Sequence, residues 1–235
     1  MWLVLCDRTD HAALWAHRGL AARGLEPLDL VTADALAYAL RWEHRIGTAG
    51  ASVVVELGDG RRIDGGSVRG VLNRLVAVPD GHLALAREAD RDYARQELFA
   101  FFVSWLTSLP GRVVNRPTPQ GLCGSWRHRS EWLALAAAVG LETVPFRMNG
   151  DMPDGGFGFG VRAAARTVVV VAGEALGAGL PRPVRAGCGR LAELAGAALL
   201  GVELTADGRV TGATPLPDLR LGGERALDLL AAALR

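Results

Sequence analysis

Hydrophobic residues along this chain fall into two spacings that take turns: runs or alternations of strand length, and longer stretches at helical spacing. Residues 2–6 form the first apolar run and predict a strand. Thr9 or Asp10 then caps a helix reaching about Arg23, and Gly24 ends it. Residues 28–32 predict a second short strand, and residues 33–40 have helical composition. Alternation over residues 52–57 and 61–64, around Gly58-Asp59-Gly60, predicts a hairpin. Residues 68–75 form another strand-like run, and Pro79, Asp80 and Gly81 mark a loop.

From residue 83 to 109 the spacing is helical, with Tyr93, Leu98, Phe101, Phe102, Trp105 and Leu109 on an apolar face. Pro110-Gly111 stops it; residues 112–115 make a brief strand closed by Pro117 and Pro119. A helix over 130–139 ends at Gly140, and residues 148–161 are the most glycine-dense part of the chain. The remainder predicts a strand over 166–172, a glycine-rich turn, and a helix over 189–200. A hairpin pairs 201–204 with 209–214, and Gly222-Gly223 opens a last helix to Arg235. Strands alternating with helices argue for an α/β protein, and no internal repeat or heptad array is present. The proline-rich seam near residues 117–125 divides the chain into two domains, 1–120 and 121–235.

Composition narrows the function classes. The 235 residues carry a formal charge of only +1, which argues against nucleic acid or an anionic membrane as partner. No apolar run reaches the ~20 residues of a bilayer span. The start, MWLVLCDRTD, lacks the pattern of a secretory signal, and Cys6, Cys123 and Cys188 are few, odd in number and far apart, so reduced thiols and a cytoplasmic location are expected. All 26 basic residues are arginine. A lysine-free chain forms no Schiff base and no P-loop, and any phosphate it holds is gripped by planar guanidinium forks.

Candidate chemistry is sparse. The five histidines show no zinc spacing, so no metal site is expected. Gly121-Leu-Cys-Gly-Ser125 is a loose match to a nucleophile elbow and reads more simply as a loop with a small buried thiol. The stretch Asp154-Gly-Gly-Phe-Gly-Phe-Gly160 has the composition of a phosphate cradle, but it lacks the strand-to-helix setting and reads as a connector or hairpin tip. Trp126-Arg127-His128-Arg129, just before a helix, is either an anion holder or a solvated helix entrance. Phe99, Phe101, Phe102 and Trp105 are either core against two neighbours or the wall of a pocket or partner surface.

Read in order, Val113-Val-Asn-Arg-Pro117, residues 129–140 and Leu141-Glu-Thr-Val-Pro145 form one phrase. It resembles the opening of the ATP-grasp domain in RimK-like and ribosomal-peptide-maturase ligases. Upstream, the hairpin and Gly70-Val-Leu-Asn-Arg74 look like that family's pre-ATP-grasp α/β domain; downstream, residues 191–204, Asp207-Gly208 and Thr214-Pro-Leu-Pro217 are similar to its closing motif. The resemblance implies a pre-ATP-grasp-like N-terminal α/β domain followed by a reduced ATP-grasp-like α+β domain. It also implies Arg74, Asn115, Arg116, Arg127, His128, Arg129 and Glu203 as candidate ligand contacts.

The departures from that family are informative. Its first nucleotide-contacting lysine falls on Arg129, its second has no counterpart, and only about 20 residues separate Pro145 from Arg166, where the family places a lid-bearing subdomain. Of its closing metal ligands one acidic position matches Glu203, while the next two fall on Gly212 and Thr214. A lone carboxylate without a phosphate-neutralising lysine is a poor phosphoryl-transfer site. The expectation is therefore a shortened, non-catalytic member that needs no cofactor and binds a small ligand, a peptide or a partner protein in a peptide-modification or amide-ligation pathway. The partner would be a second copy or a companion ligase. Two alternatives stand beside it: an ATP- and Mg-dependent carboxylate–amine ligase using Arg129 and Glu203 in altered roles, and an ATP-independent enzyme built on Cys123, Arg127, His128 and Arg129.

Overall fold

The computed structural model describes residues 1–48, 50–147 and 164–235. The glycine-rich stretch at 154–160 lies outside them. The chain forms two units, Met1–Trp126 with Asp218–Arg235, and Arg127–Pro217.

The first unit is built on strands β1 (Trp2–Cys6), β2 (Leu28–Thr32), β6 (Gly70–Asn73) and β7 (Arg112–Val114), all parallel, in the order β2-β1-β6-β7. Parallel neighbours need crossovers, and three helices serve. Helix α1 (His11–Ala21) is capped by Asp10, whose Oδ1 accepts the Ala13 N–H at 2.9 Å, and α2 (Ala33–Ala37) follows β2 directly. The long helix α3 (Glu88–Ser108) precedes β7. Alternation divides β1 between two layers. Leu3 and Leu5 join a core cluster with Val53, Val55, Phe102, Trp105 and Leu106, beneath a three-stranded antiparallel sheet of β3 (Arg41–Gly47), β4 (Gly50–Glu56) and β5 (Arg62–Asp64). On the other side the Trp2 indole N–H donates to the Leu234 carbonyl at the end of helix α6 (Gly223–Leu234). A Cβ on Gly70 would collide with that same carbonyl, so the helix closes on the strand only where glycine stands.

The second unit has an antiparallel sheet in the order β11-β10-β8-β9: β8 (Arg166–Val171), β9 (Glu174–Leu176), β10 (Leu199–Leu204) and β11 (Val210–Thr214). One face, with Val168, Val170, Leu200, Val202 and Leu204, is covered by helices α4 (Arg129–Ala138) and α5 (Arg182–Leu194) through Trp132, Leu133, Cys188 and Leu191.

Several elements depart from the sequence expectation. The boundary falls after Trp126, six residues beyond the expected 120, and the last helix packs with the first unit, against α1, β6 and β7. Arg23 holds it there, at 2.8 Å from both Glu224 and Asp228. Residues 81–85 form a 3-10 turn, so the long helix starts at Glu88 and not at 83. Strands β3 and β9 were not expected. Helix α5 spans Arg182–Leu194 in place of 189–200, because its internal glycines mark close packing and not an end. A Cβ on Gly189 would strike the Gly173 carbonyl, and one on Gly187 the Leu141 side chain.

Candidate functional site

In an open parallel sheet, ligands collect beyond the carboxyl ends of the strands where the strand order reverses. Here that point lies between β1 and β6, and the chain's own polar groups fill it. Arg74, only 3% exposed, points its Nε at Asp10 Oδ2 (2.6 Å) and its Nη2 at Asp10 Oδ1 (3.2 Å). Asn73 donates to the carbonyls of Asn115 (3.1 Å) and Leu122 (2.7 Å), tying the end of β6 to the segment that follows β7. Asn115 is buried and Arg116 exposed. Cys123 is fully buried; burial pushes its thiol pKa up, partly offset by a hydrogen bond with the Trp126 side chain and by Arg74. Asp218 is held below the usual carboxylate range, chiefly by the Arg220 guanidinium. Arg74, held by Asp10, and Asn115, whose carbonyl is held by Asn73, are thus both buried, and Arg116 is exposed.

The second unit gathers Arg127, His128 and Arg129 at the start of α4. His128 is the N-cap: its Nδ1 accepts the Ser130 N–H (3.3 Å) and lies 2.8 Å from Ser130 Oγ, while Glu131 Oε1 accepts the His128 N–H (3.4 Å). This capping box gives His128 a structural task. Arg127 lies 3.6 Å from Glu131 and packs over the Trp132 ring at 5.8 Å. The Nε atoms of Arg127, Arg129 and, at the start of β8, Arg166 are buried with no acceptor among the described residues. A buried donor without a partner is costly, so each is a place where an added oxygen acceptor would be stabilising.

Glu203 points the other way. Val202 and Leu204 on either side of it face α4 and α5, so alternation sends Glu203 to the opposite face of the sheet. Its cross-strand neighbours there are Thr167 on β8 and Gly212 on β11. Magnesium asks for octahedral oxygen ligands, usually one or two carboxylates besides phosphate. Glu203, with a threonine and a glycine beside it, supplies one carboxylate, the lower end of that range, and among the described residues no group of three His, Cys, Asp or Glu could hold a metal ion. The candidate residues therefore form three groups, around Asp10–Arg74, at the α4 start and at Glu203. No described contact links Glu203 to the α4 arginines. What the sequence reading missed is Asp10, the carboxylate that holds Arg74. Its signal was present as a helix cap but pointed to no ion pair.

Among solved structures, macrocyclase MdnC bound with precursor peptide MdnA, from Microcystis aeruginosa MRC, matches 99% of this chain and 98% of its own, with a TM-score of 0.67 at 13% identity. The ATP-grasp ligase PsnB, complexed with minimal precursor, Mg and ADP, matches 100% and 98%, with a TM-score of 0.69 at 18% identity. The fold is ATP-grasp-like. A third such structure, the RiPP-associated ATP-grasp ligase of Chryseobacterium gregarium in complex with ADP and a leader and core peptide, matches 99% and 96%, with a TM-score of 0.68 at 9% identity. No protein-family model and no curated protein matches the sequence. The ATP-grasp-like architecture thus comes with an α/β first unit and an α+β second unit, as the motif order implied. Among the described residues no helix is long and apolar enough to cross a membrane.

Proposed function

We propose that this chain binds a peptide in a peptide-modification pathway, on an ATP-grasp-like scaffold that does not itself carry out nucleotide-driven ligation. The peptide part is supported by the neighbours, three of which are complexed with precursor or leader and core peptides. The non-catalytic part is supported by one observation: the cross-strand neighbours of Glu203 are Gly212 and Thr167, neither of them a second carboxylate. Phosphoryl transfer depends on positioning and on neutralising charge. A lysine-free chain with a single carboxylate at the magnesium position is poorly equipped for both.

A second reading rests on the three arginine Nε atoms buried without acceptors among the described residues. Guanidinium groups bind phosphate oxygens well, so an arginine-held nucleotide and a surviving carboxylate–amine ligase would account for those orphaned donors. The third reading, cysteine chemistry with His128, finds less support, since His128 serves the α4 cap and Cys123 is buried with a raised pKa.

Fluorescence anisotropy with a panel of labelled ribosomal precursor peptides separates the first two. The proposal expects the peptide to bind with the same affinity with and without Mg–ATP, and no ADP to be released. Binding that requires Mg–ATP, or ADP release on adding peptide, would establish the ligase reading instead.

A further inference from the structure

The aromatic contacts of α3 lie in its C-terminal half, where Phe101, Phe102 and Trp105 pack edge-on around Trp42. Its N-terminal half extends past that cluster and is largely exposed. Asp92, Arg95, Gln96 and Phe99 recur at the spacing of one helical face. With Ala77 and Val78 they line an open groove of about 470 Å³, within the range that holds small ligands and side chains. Apolar side chains lie exposed in the elements beside it: Val76, Tyr93 and, 97% exposed, Leu85.

The charge around the groove is unbalanced. Between Asp80 and Glu97 stand five carboxylates and three arginines. All three arginines are already engaged: Arg87 with Asp90, Arg95 with Asp80 and Asp92, and Arg91 with the carbonyls of Ala84 and Ala86. Arg91 thereby spends its cation on neutral oxygens, and Glu88 and Glu97 form no ion pair among the described residues. An apolar floor with an acidic surround complements a segment that is apolar and basic.

We infer that this groove on α3 docks a peptide segment presenting an apolar side chain flanked by basic residues. The inference rests on the peptide-binding reading and gives it a place and a chemistry. Two fluorescein-labelled helical peptides test it, one with leucines at every third and fourth position and arginines between, the other with glutamates replacing the arginines. The arginine probe should bind, more weakly as salt rises from about 50 to about 300 mM, where surface charge is screened. Its affinity should fall about tenfold or more in an Ala77→Arg/Gln96→Arg variant. Both positions are solvent-exposed, and an unchanged thermal midpoint would confirm that the variant is folded. Equal binding of the glutamate probe would overturn the inference, as would arginine-probe binding that the variant leaves intact. Failure of both probes while the precursor peptide still binds would overturn the groove and leave the proposed function standing. A wild-type dimer in sedimentation that the variant dissociates would also overturn it, giving the groove to a second copy.

Discussion

Replacing Asp10 with alanine should be among the most damaging single changes to the first unit. Its carboxylate does two things: both oxygens face the Arg74 guanidinium, at 2.6 and 3.2 Å, and Oδ1 also accepts the Ala13 N–H that begins α1. Both partners are shielded, Arg74 at 3% and Asp10 at 12% side-chain exposure, so water cannot replace what is lost. Removing one member of a buried pair costs about 3–5 kcal/mol, and losing an N-cap about 1 kcal/mol. The two losses share one carboxylate and do not add fully, which gives about 4 kcal/mol. At roughly 2–4 °C per kcal/mol for a chain of this size, the thermal midpoint should fall by about 8–16 °C. Urea unfolding followed by circular dichroism and tryptophan emission measures this. An Asp10→Ala/Arg74→Met double variant should recover about 2 kcal/mol or more, since no buried cation then remains. A loss below 1 kcal/mol in the single variant, or no recovery in the double, would refute the assignment of Arg74 to the frame of the sheet.

The other predictions concern thiols and close packing. All three cysteines are buried, so Ellman's reagent should find no fast-reacting thiol in the native protein and three after denaturation; one fast thiol at Cys123 would revive the cysteine-chemistry reading. Burial pushes the Cys6 and Cys188 thiols up to about 11. A folded-state pKa raised above the unfolded value of about 9 means stability intact below pH 9 and lost as the pH climbs through 11. With no lysine titrating in that window, Cys188→Ala should visibly flatten the fall in thermal midpoint between pH 9 and 11, and an unchanged slope would contradict the cause assigned. Gly70→Ala should cost about 1–3 kcal/mol because its Cβ meets the Leu234 backbone, whereas Gly47→Ala, whose Cβ would meet nothing within 4 Å among the described residues, should stay within about 0.5 kcal/mol; similar urea midpoints for the two would count against the packing account.

Much of the fold was legible because local rules and tertiary packing agree. β1, β2 and the β10–β11 hairpin carry continuous or alternating apolar residues between turn signals; β1 and β2 lie where those signals put them, and β10 starts two residues earlier, at Leu199. β3 was missed although Trp42 and His44 alternate with Arg41, Glu43 and Arg45, because its apolar face is made of amphipathic side chains that read as polar. Its partner is α3, far away in sequence: His44 Nε2 lies 3.0 Å from Ser104 Oγ and its ring meets Phe101 edge-on. Helix α5 was displaced because a glycine that admits a close neighbour looks, in sequence, like one that ends a helix. The return of α6 to the first unit was invisible, since an amphipathic stripe shows that a helix covers something but not what. Among the candidate residues, motif order could propose Arg74 and Glu203 yet not show that one is spoken for by Asp10 and the other stands with Gly212 beside it.

Titration calorimetry of Mg–ATP into the 235-residue chain, with the Arg129→Ala variant alongside, addresses the central claim most directly. The account predicts no saturable heat up to millimolar nucleotide and no difference between the two proteins. A dissociation constant in the micromolar range that vanishes with Arg129→Ala would contradict it, and would mean that guanidinium groups have taken over the triphosphate.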